Sequence, residues 1–168
     1  MNQNELCDRV RKIISTNRYL TMATAGDRNP WIAPLAYSVE PDYSFVYYSA
    51  QDSTHSLHIH QNPTVACAIF DSRASSDDAD GIQFSAKVEE VHWNHLPGVI
   101  LRYFQQSFPL EEIRRRWERP IEEFAGLAIQ RFYRIMPMHL YTIDLTVQKV
   151  DRRVEIDMNA LKSIPLHR

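Results

Sequence analysis

Phe45-Val46-Tyr47-Tyr48-Ser49-Ala50-Gln51-Asp52-Ser53-Thr54-His55-Ser56-Leu57-His58-Ile59-His60-Gln61-Asn62-Pro63 is the stretch that decides the reading of this chain. The aromatic, β-branched run at 45–48 predicts a strand that ends in small hydroxyl residues. Asp52 or Ser53 can then cap a short helix whose first turn carries Ser53, Thr54 and His55. A helix start presents N–H groups without intrahelical partners and about half a positive charge. Hydroxyls and an imidazole placed there suit a phosphate. The helix stops at Asn62-Pro63, because a residue before proline avoids the α region. A strand at 64–70 follows at once.

Upstream, Leu6, Val10, Ile13 and Ile14 form one apolar stripe and predict a helix over 3–17. Strands at 19–24 and 30–39 flank a Gly-Asp-Arg-Asn turn, and a second turn at 40–44 leads into the quoted stretch. Downstream, residues 71–80 are small, polar and acidic and predict a mobile loop. Ile82, Phe84, Ala86 and Val88 then alternate with Gln83, Ser85, Lys87 and Glu89, the pattern of a half-buried strand.

Residues 94–126 change period. Leu96, Val99, Ile100, Tyr103 and Phe104 keep helical spacing, and a second helix carries Leu110, Ile113 and Trp117. The run Arg114-Arg115-Arg116, with Glu111 and Glu112 one turn earlier, predicts a solvated helix face. Strands return at 127–136, 138–145 and 147–156. Six to eight short strands in mostly hairpin order predict a mainly β fold. The expectation is one domain over 1–168, an antiparallel six- to eight-stranded barrel with attached helices and a helical insert at 94–126. The connections are too short for a parallel sheet.

The chain has 168 residues, 44% apolar and 24% charged, with a net charge of −2. That balance gives no electrostatic reason to expect nucleic acid or an anionic membrane as partner. Cys7 and Cys67 lack zinc spacing and are expected as reduced thiols in a cytoplasmic protein. The polar first residues do not form a signal peptide, and the apolar runs are too short to span a bilayer. Four glycines form neither a dinucleotide nor a P-loop pattern, and no Gly-x-Ser-x-Gly elbow occurs. Of His55, His58 and His60 only the first two share a helix face, so no metal site is assigned. His58 and His60 are expected at the surface. Tyr37, Tyr47, Tyr48 and Trp31 are expected as core or interface aromatics.

Five pieces in this order, Pro34-Leu35-Ala36-Tyr37, Tyr48-Ser49, Ser53-Thr54-His55, Asn62-Pro63-Thr64-Val65 and Gly81-Ile82-Gln83-Phe84, resemble the FMN-binding split-barrel family, the pyridoxamine 5'-phosphate oxidase-like proteins. Phe132 to Asp144 resembles the family's closing strands. The resemblance implies a homodimer with FMN between two barrels, and less strongly deazaflavin or haem. Pro34 and Leu35 would lie along the ring. Ser49, Ala50, Ser53, Thr54 and His55 would surround the phosphate, and Gln83 would reach the flavin. It implies an oxidoreductase in which hydride passes through flavin N5 to or from a small substrate or nicotinamide donor, so no protein acid or base is nominated as catalytic. The alternative it allows is a non-enzymatic flavin- or haem-binding or stress-response protein. One departure stands out: the family usually carries Arg or Lys where this chain has Thr54. A protonated His55, Arg28 or Lys87 would be the available compensation. The tail after 157 lacks the Trp and Arg pattern used by true oxidases, which argues against pyridoxamine phosphate as substrate.

Overall fold

The computed structural model describes residues 2–26, 29–75, 79–144 and 152–165. Helix α1 (Gln3–Thr16) starts in a reciprocal capping box between Asn2 and Glu5 and buries Leu6, Cys7, Val10, Ile13 and Ile14, the stripe its sequence predicts. There follow β1 (Tyr19–Ala25), β2 (Pro30–Ala36), β3 (Ser38–Val39), β4 (Phe45–Ala50), α2 (Thr54–Gln61), β5 (Thr64–Phe70) and β6 (Gly81–Glu90). The insert folds as α3 (Leu96–Ser107), α4 (Glu111–Trp117) and a 3-10 turn (Ile121–Phe124). The chain then forms β7 (Gln130–Ile143), β8 (Arg153–Glu155) and α5 (Met158–Lys162).

The sheet order is β2-β1-β5-β6-β7-β4-β3, with β8 beside β7, and its pairs are antiparallel. Its two ends, β2 and β3, are consecutive in the chain and separated by Tyr37 alone. The sheet therefore curls back on itself, as a barrel of eight strands with attached helices. The single strand expected at 30–39 is bent at Tyr37. The Tyr37 hydroxyl donates to the Ile14 carbonyl at 2.8 Å, which ties the bend to α1.

Two apolar cores share β4. Phe45 and Tyr47 point into the barrel with Leu20, Met22, Ile69, Phe84 and Tyr133. Val46 points to the other side, where Val99, Tyr103, Phe104, Phe124 and Phe132 bury it and Tyr48 packs against them. A strand buried on both faces has no polar alternate, which explains the unbroken Phe-Val-Tyr-Tyr. The insert is thus a lid over the outer faces of β4 and β7, fixed by a largely buried Glu40 whose two carboxylate oxygens share the Arg102 Nε–H at 3.0 Å each, Oε2 also accepting from Nη2 at 2.5 Å.

The separate strands expected at 127–136 and 138–145 are one strand. Ser85 pairs with His139 but Ala86 pairs with Pro137, so Met138 is an extra residue in a bulge. A bulge leaves one residue off the ladder, and a proline beside it forfeits little pairing. The expected strand at 147–156 falls partly outside the described residues, as do Ser76 to Asp78 of the predicted loop. α5 was not foreseen; Asp157 caps it by accepting from the Asn159 and Ala160 N–H groups, and Leu161 anchors it in the barrel core.

Candidate functional site

Ser53 is the N-cap of α2, in extended backbone at φ −67° and ψ 150°. Its Oγ lies 3.4 Å from the Ser56 N–H that it accepts and donates to Ser56 Oγ at 2.9 Å. Helical bonding begins with the Leu57 N–H to the Ser53 carbonyl. Among the described residues, no protein acceptor meets the N–H of Thr54 or His55, as the geometry of a helix start requires. Asn62 ends the helix in extended backbone before Pro63.

The corner is assembled by β4 and α2 together. His55 Nε2 lies 2.9 Å from Ser49 Oγ and 3.2 Å from Ser53 Oγ. Its ring packs 6.1 Å from Tyr47, which in turn stacks on Tyr133 at 5.3 Å. Ser49, Ser53 and His55 are therefore in mutual contact, with Ala50 between them accepting from the Ser53 N–H. Thr54 stands beside them with its side chain in solvent. Two backbone N–H groups, with hydroxyls and an imidazole that can turn a proton outward, suit a phosphate monoester. Ser56, buried and bonded to the cap, is a member the sequence reading passed over; its position three residues after a Ser cap was the available signal.

His55 is 8% exposed. Burial first, and the neighbouring His58 second, hold its imidazole below the ordinary histidine range. The unliganded corner therefore disfavours the protonated His55 invoked to offset Thr54. The unfolded chain binds a proton near pH 6.5 that the folded chain resists. The stability is intact above that value and is lost as pH falls below it. A His55→Asn variant should lose less stability than wild type in urea melts between about pH 7.5 and 5.5; equal slopes would contradict this assignment.

Of the other cations named from the sequence, Lys87 does not reach this corner. Arg28 lies outside the described residues. Lys87 pairs with Thr64, just past the far end of α2. His58 is not a free surface residue: its Nδ1 lies 3.1 Å from Thr24 Oγ1, and its ring occupies the space a side chain at Gly26 would need, 2.6 Å from such a Cβ. The contact seats α2 on the β1–β2 end of the barrel. His60 is exposed. Tyr37 and Tyr47 are core residues, whereas Trp31 is exposed. Among the described residues no group of three His, Cys, Asp or Glu side chains could hold a metal. Cys7 and Cys67 are free and buried, and burial pushes the Cys67 thiol up to about 12.

Pro34 and Gln83 sit away from the corner, on the outer face of the sheet. The register sets Pro34, Thr21, Ala68, Gln83 and Tyr141 in one row, and Ile32, Ala23, Ala66, Ser85 and His139 in the next. Leu35 points inward, so only its main chain faces the edge of the sheet. Two depressions flank Gln83. One, of about 410 Å³, is lined by Ala66, Ser85, His139 and Tyr141; the other, of about 250 Å³, by Phe70, Asp80 and Arg153. Within one chain the hydroxyl corner and the Gln83 patch are separate features. β2 is an edge strand carrying Pro30 and Pro34, which suits an edge that other β-strands should not extend.

No protein-family model matches the chain, and no curated protein matches it in sequence. Solved structures do share its fold. A haem-binding protein from Mycobacterium smegmatis superposes with a TM-score of 0.68 at 13% identity, over 94% of this chain and 60% of that one. An FAD-binding protein from Mesorhizobium loti gives 0.59 at 17% identity, over 83% and 92% of the two chains. A Listeria innocua protein provisionally assigned as a pyridoxamine 5'-phosphate oxidase gives 0.55 at 12% identity, over 82% and 97%. The chain thus has the split-barrel fold shared by flavin-binding, haem-binding and oxidase-like proteins. Among its described residues no helix is long and apolar enough to cross a membrane.

Proposed function

We propose that this chain is an FMN-dependent oxidoreductase of the pyridoxamine 5'-phosphate oxidase-like kind, working as a cytoplasmic homodimer. The observation that carries the reading is the start of α2, where Ser49, Ser53 and His55 are in contact beside the Thr54 and His55 N–H groups, which meet no protein acceptor among the described residues. These groups would hold the phosphate by donating hydrogen bonds. The second copy would dock on the uncharged rows of the outer face, so that Gln83 of one subunit reaches the flavin seated on the other. Pro34 and the edge of β2 would border the ring. When bound, the flavin supplies hydride exchange at N5 with a small substrate or nicotinamide donor; the protein's share is to orient it and exclude water. The buried, reduced thiols are consistent with a cytoplasmic setting.

The test is the visible spectrum of the protein as purified, followed by mass analysis of what denaturation releases. A flavin spectrum with FMN released supports the reading. A haem Soret band would replace it with a haem-binding role, which shared fold with the mycobacterial protein makes the natural second outcome. Flavin that NADH and NADPH fail to reduce, with no turnover, would point to a carrier. Thr54→Arg places a cation at the exposed first helical position. It should tighten FMN about tenfold, the scale of one charge-assisted hydrogen bond, and unchanged affinity in a fluorescence titration would count against the phosphate placement.

A further inference from the structure

The corner lacks the base expected at position 54, yet the fold sets an arginine from a distant part of the chain opposite one of its strand residues. Arg131 on β7 is the direct register partner of Ser49 on β4. Directly opposed residues of an antiparallel pair project to the same face with Cβ atoms about 5 Å apart. Arg131 is therefore on the side of the sheet where Ser49 meets His55. Its side chain is 12% exposed. The guanidinium donates to the carbonyls of Gly126, Ala128 and Gln130 at 2.6, 2.5 and 2.7 Å. The same loop is bonded to the segment leading into α2. Gln51 N–H donates to the Ile129 carbonyl at 2.9 Å, and Gln51 Nε2 to that of Ala128 at 3.0 Å. Carbonyl acceptors fix a guanidinium without cancelling its unit charge. Among the described residues the carboxylate that meets it is Glu90, at 3.1 Å and with a side chain 41% exposed. An ion pair that open to water is strongly screened.

We infer that Arg131 is the cation that recognises the phosphate of the bound nucleotide, and that Glu90 is the counter-ion that weakens this attraction until ligand arrives. The inference rests on the reading of the α2 corner as a phosphate site and adds the residue that gives it charge selectivity. It makes opposite predictions for two adjacent side chains.

The experiment is a fluorescence titration of wild type, Arg131→Gln, Arg131→Lys and Glu90→Gln with FMN and, separately, with riboflavin, which lacks the phosphate. Arg131→Gln should weaken FMN about tenfold or more while riboflavin changes little. Arg131→Lys should recover much of the preference, and Glu90→Gln should tighten FMN about two- to fivefold with riboflavin unchanged. Equal weakening of both flavins by Arg131→Gln, without rescue by Lys, would show a purely structural clamp and overturn the inference. If Arg131→Gln fails to fold, Glu90→Gln decides: unchanged or weaker FMN binding overturns it. A wild type that binds both flavins equally would remove the phosphate corner itself, and this inference with it. A wild type that prefers FMN, with the preference intact in Arg131→Gln, would remove only the inference.

Discussion

Phe132→Ala should lower the melting temperature by about 12 °C, from a loss of about 4 kcal/mol. Phe132 is fully buried on the outer face of β7. Its ring lies 4.6 Å from Phe124 and 5.4 Å from both Tyr48 and Tyr103, so four elements meet on one side chain. Removing it leaves a cavity between the sheet and the insert, because the surrounding rings are too large and too well fixed to collapse into it. Trp117→Ala makes the control. Trp117 is 55% exposed and stacks only on Phe108 at 5.7 Å, so its loss should cost no more than about 1 kcal/mol. Comparable melting temperatures for the two variants would mean that α3 is not packed on the sheet as described.

If two copies pair through the outer face and share a flavin as proposed, Ala66→Arg should leave the protomer folded, abolish the pairing and strip the flavin. Ala66 is exposed and lies between Ala23 and Ser85 in the middle of the outer face. The two rows that cross there carry Thr21, Ala23, Ala66, Ala68, Gln83 and Ser85, with no ionised side chain among them. Lys87, the His139–Glu155 pair and Arg153, whose Nε donates to Gln83 Oε1 at 3.3 Å, stand at the margins. An uncharged centre with a charged rim is the distribution of a protein interface, and a stable one covers about 800 Å² per partner. An arginine in its centre would be buried without a counter-ion, at a cost of several kcal/mol. Because the side chain points away from the barrel core, the protomer's own melting temperature should hardly move. Sedimentation or light scattering at micromolar concentration checks the first half, and the spectrum of the purified variant the second. A flavin-loaded dimer would show that a different face pairs the subunits.

The local features of the corner were legible in the sequence for a definite reason. Capping, helix start and helix stop depend on residues within four positions of each other. Ser53, Thr54, His55 and the Asn62-Pro63 stop therefore announce themselves, and the structure keeps them where local chemistry puts them. The alternation of 82–88 likewise predicts a half-buried strand. Pro137 misled, because a proline ends a strand by its local chemistry and is tolerated only where a partner strand supplies a bulge. That partner is β6, some fifty residues earlier. His58 misled for a similar reason: nothing in its own turn shows that Thr24 and Gly26 lie beneath it.

The sequence by itself determined most of the elements, the fold class and the hydroxyl-bearing helix start, since periodicity and capping are short-range. Tertiary structure alone decided the rest. It joined the ends of the sheet at Tyr37, turned Val46 and Phe132 into a second core beneath the insert, and set Arg131 opposite Ser49. It also decided that His55 resists protonation, because a proton's affinity depends on how much water the fold removes and which charges it brings near.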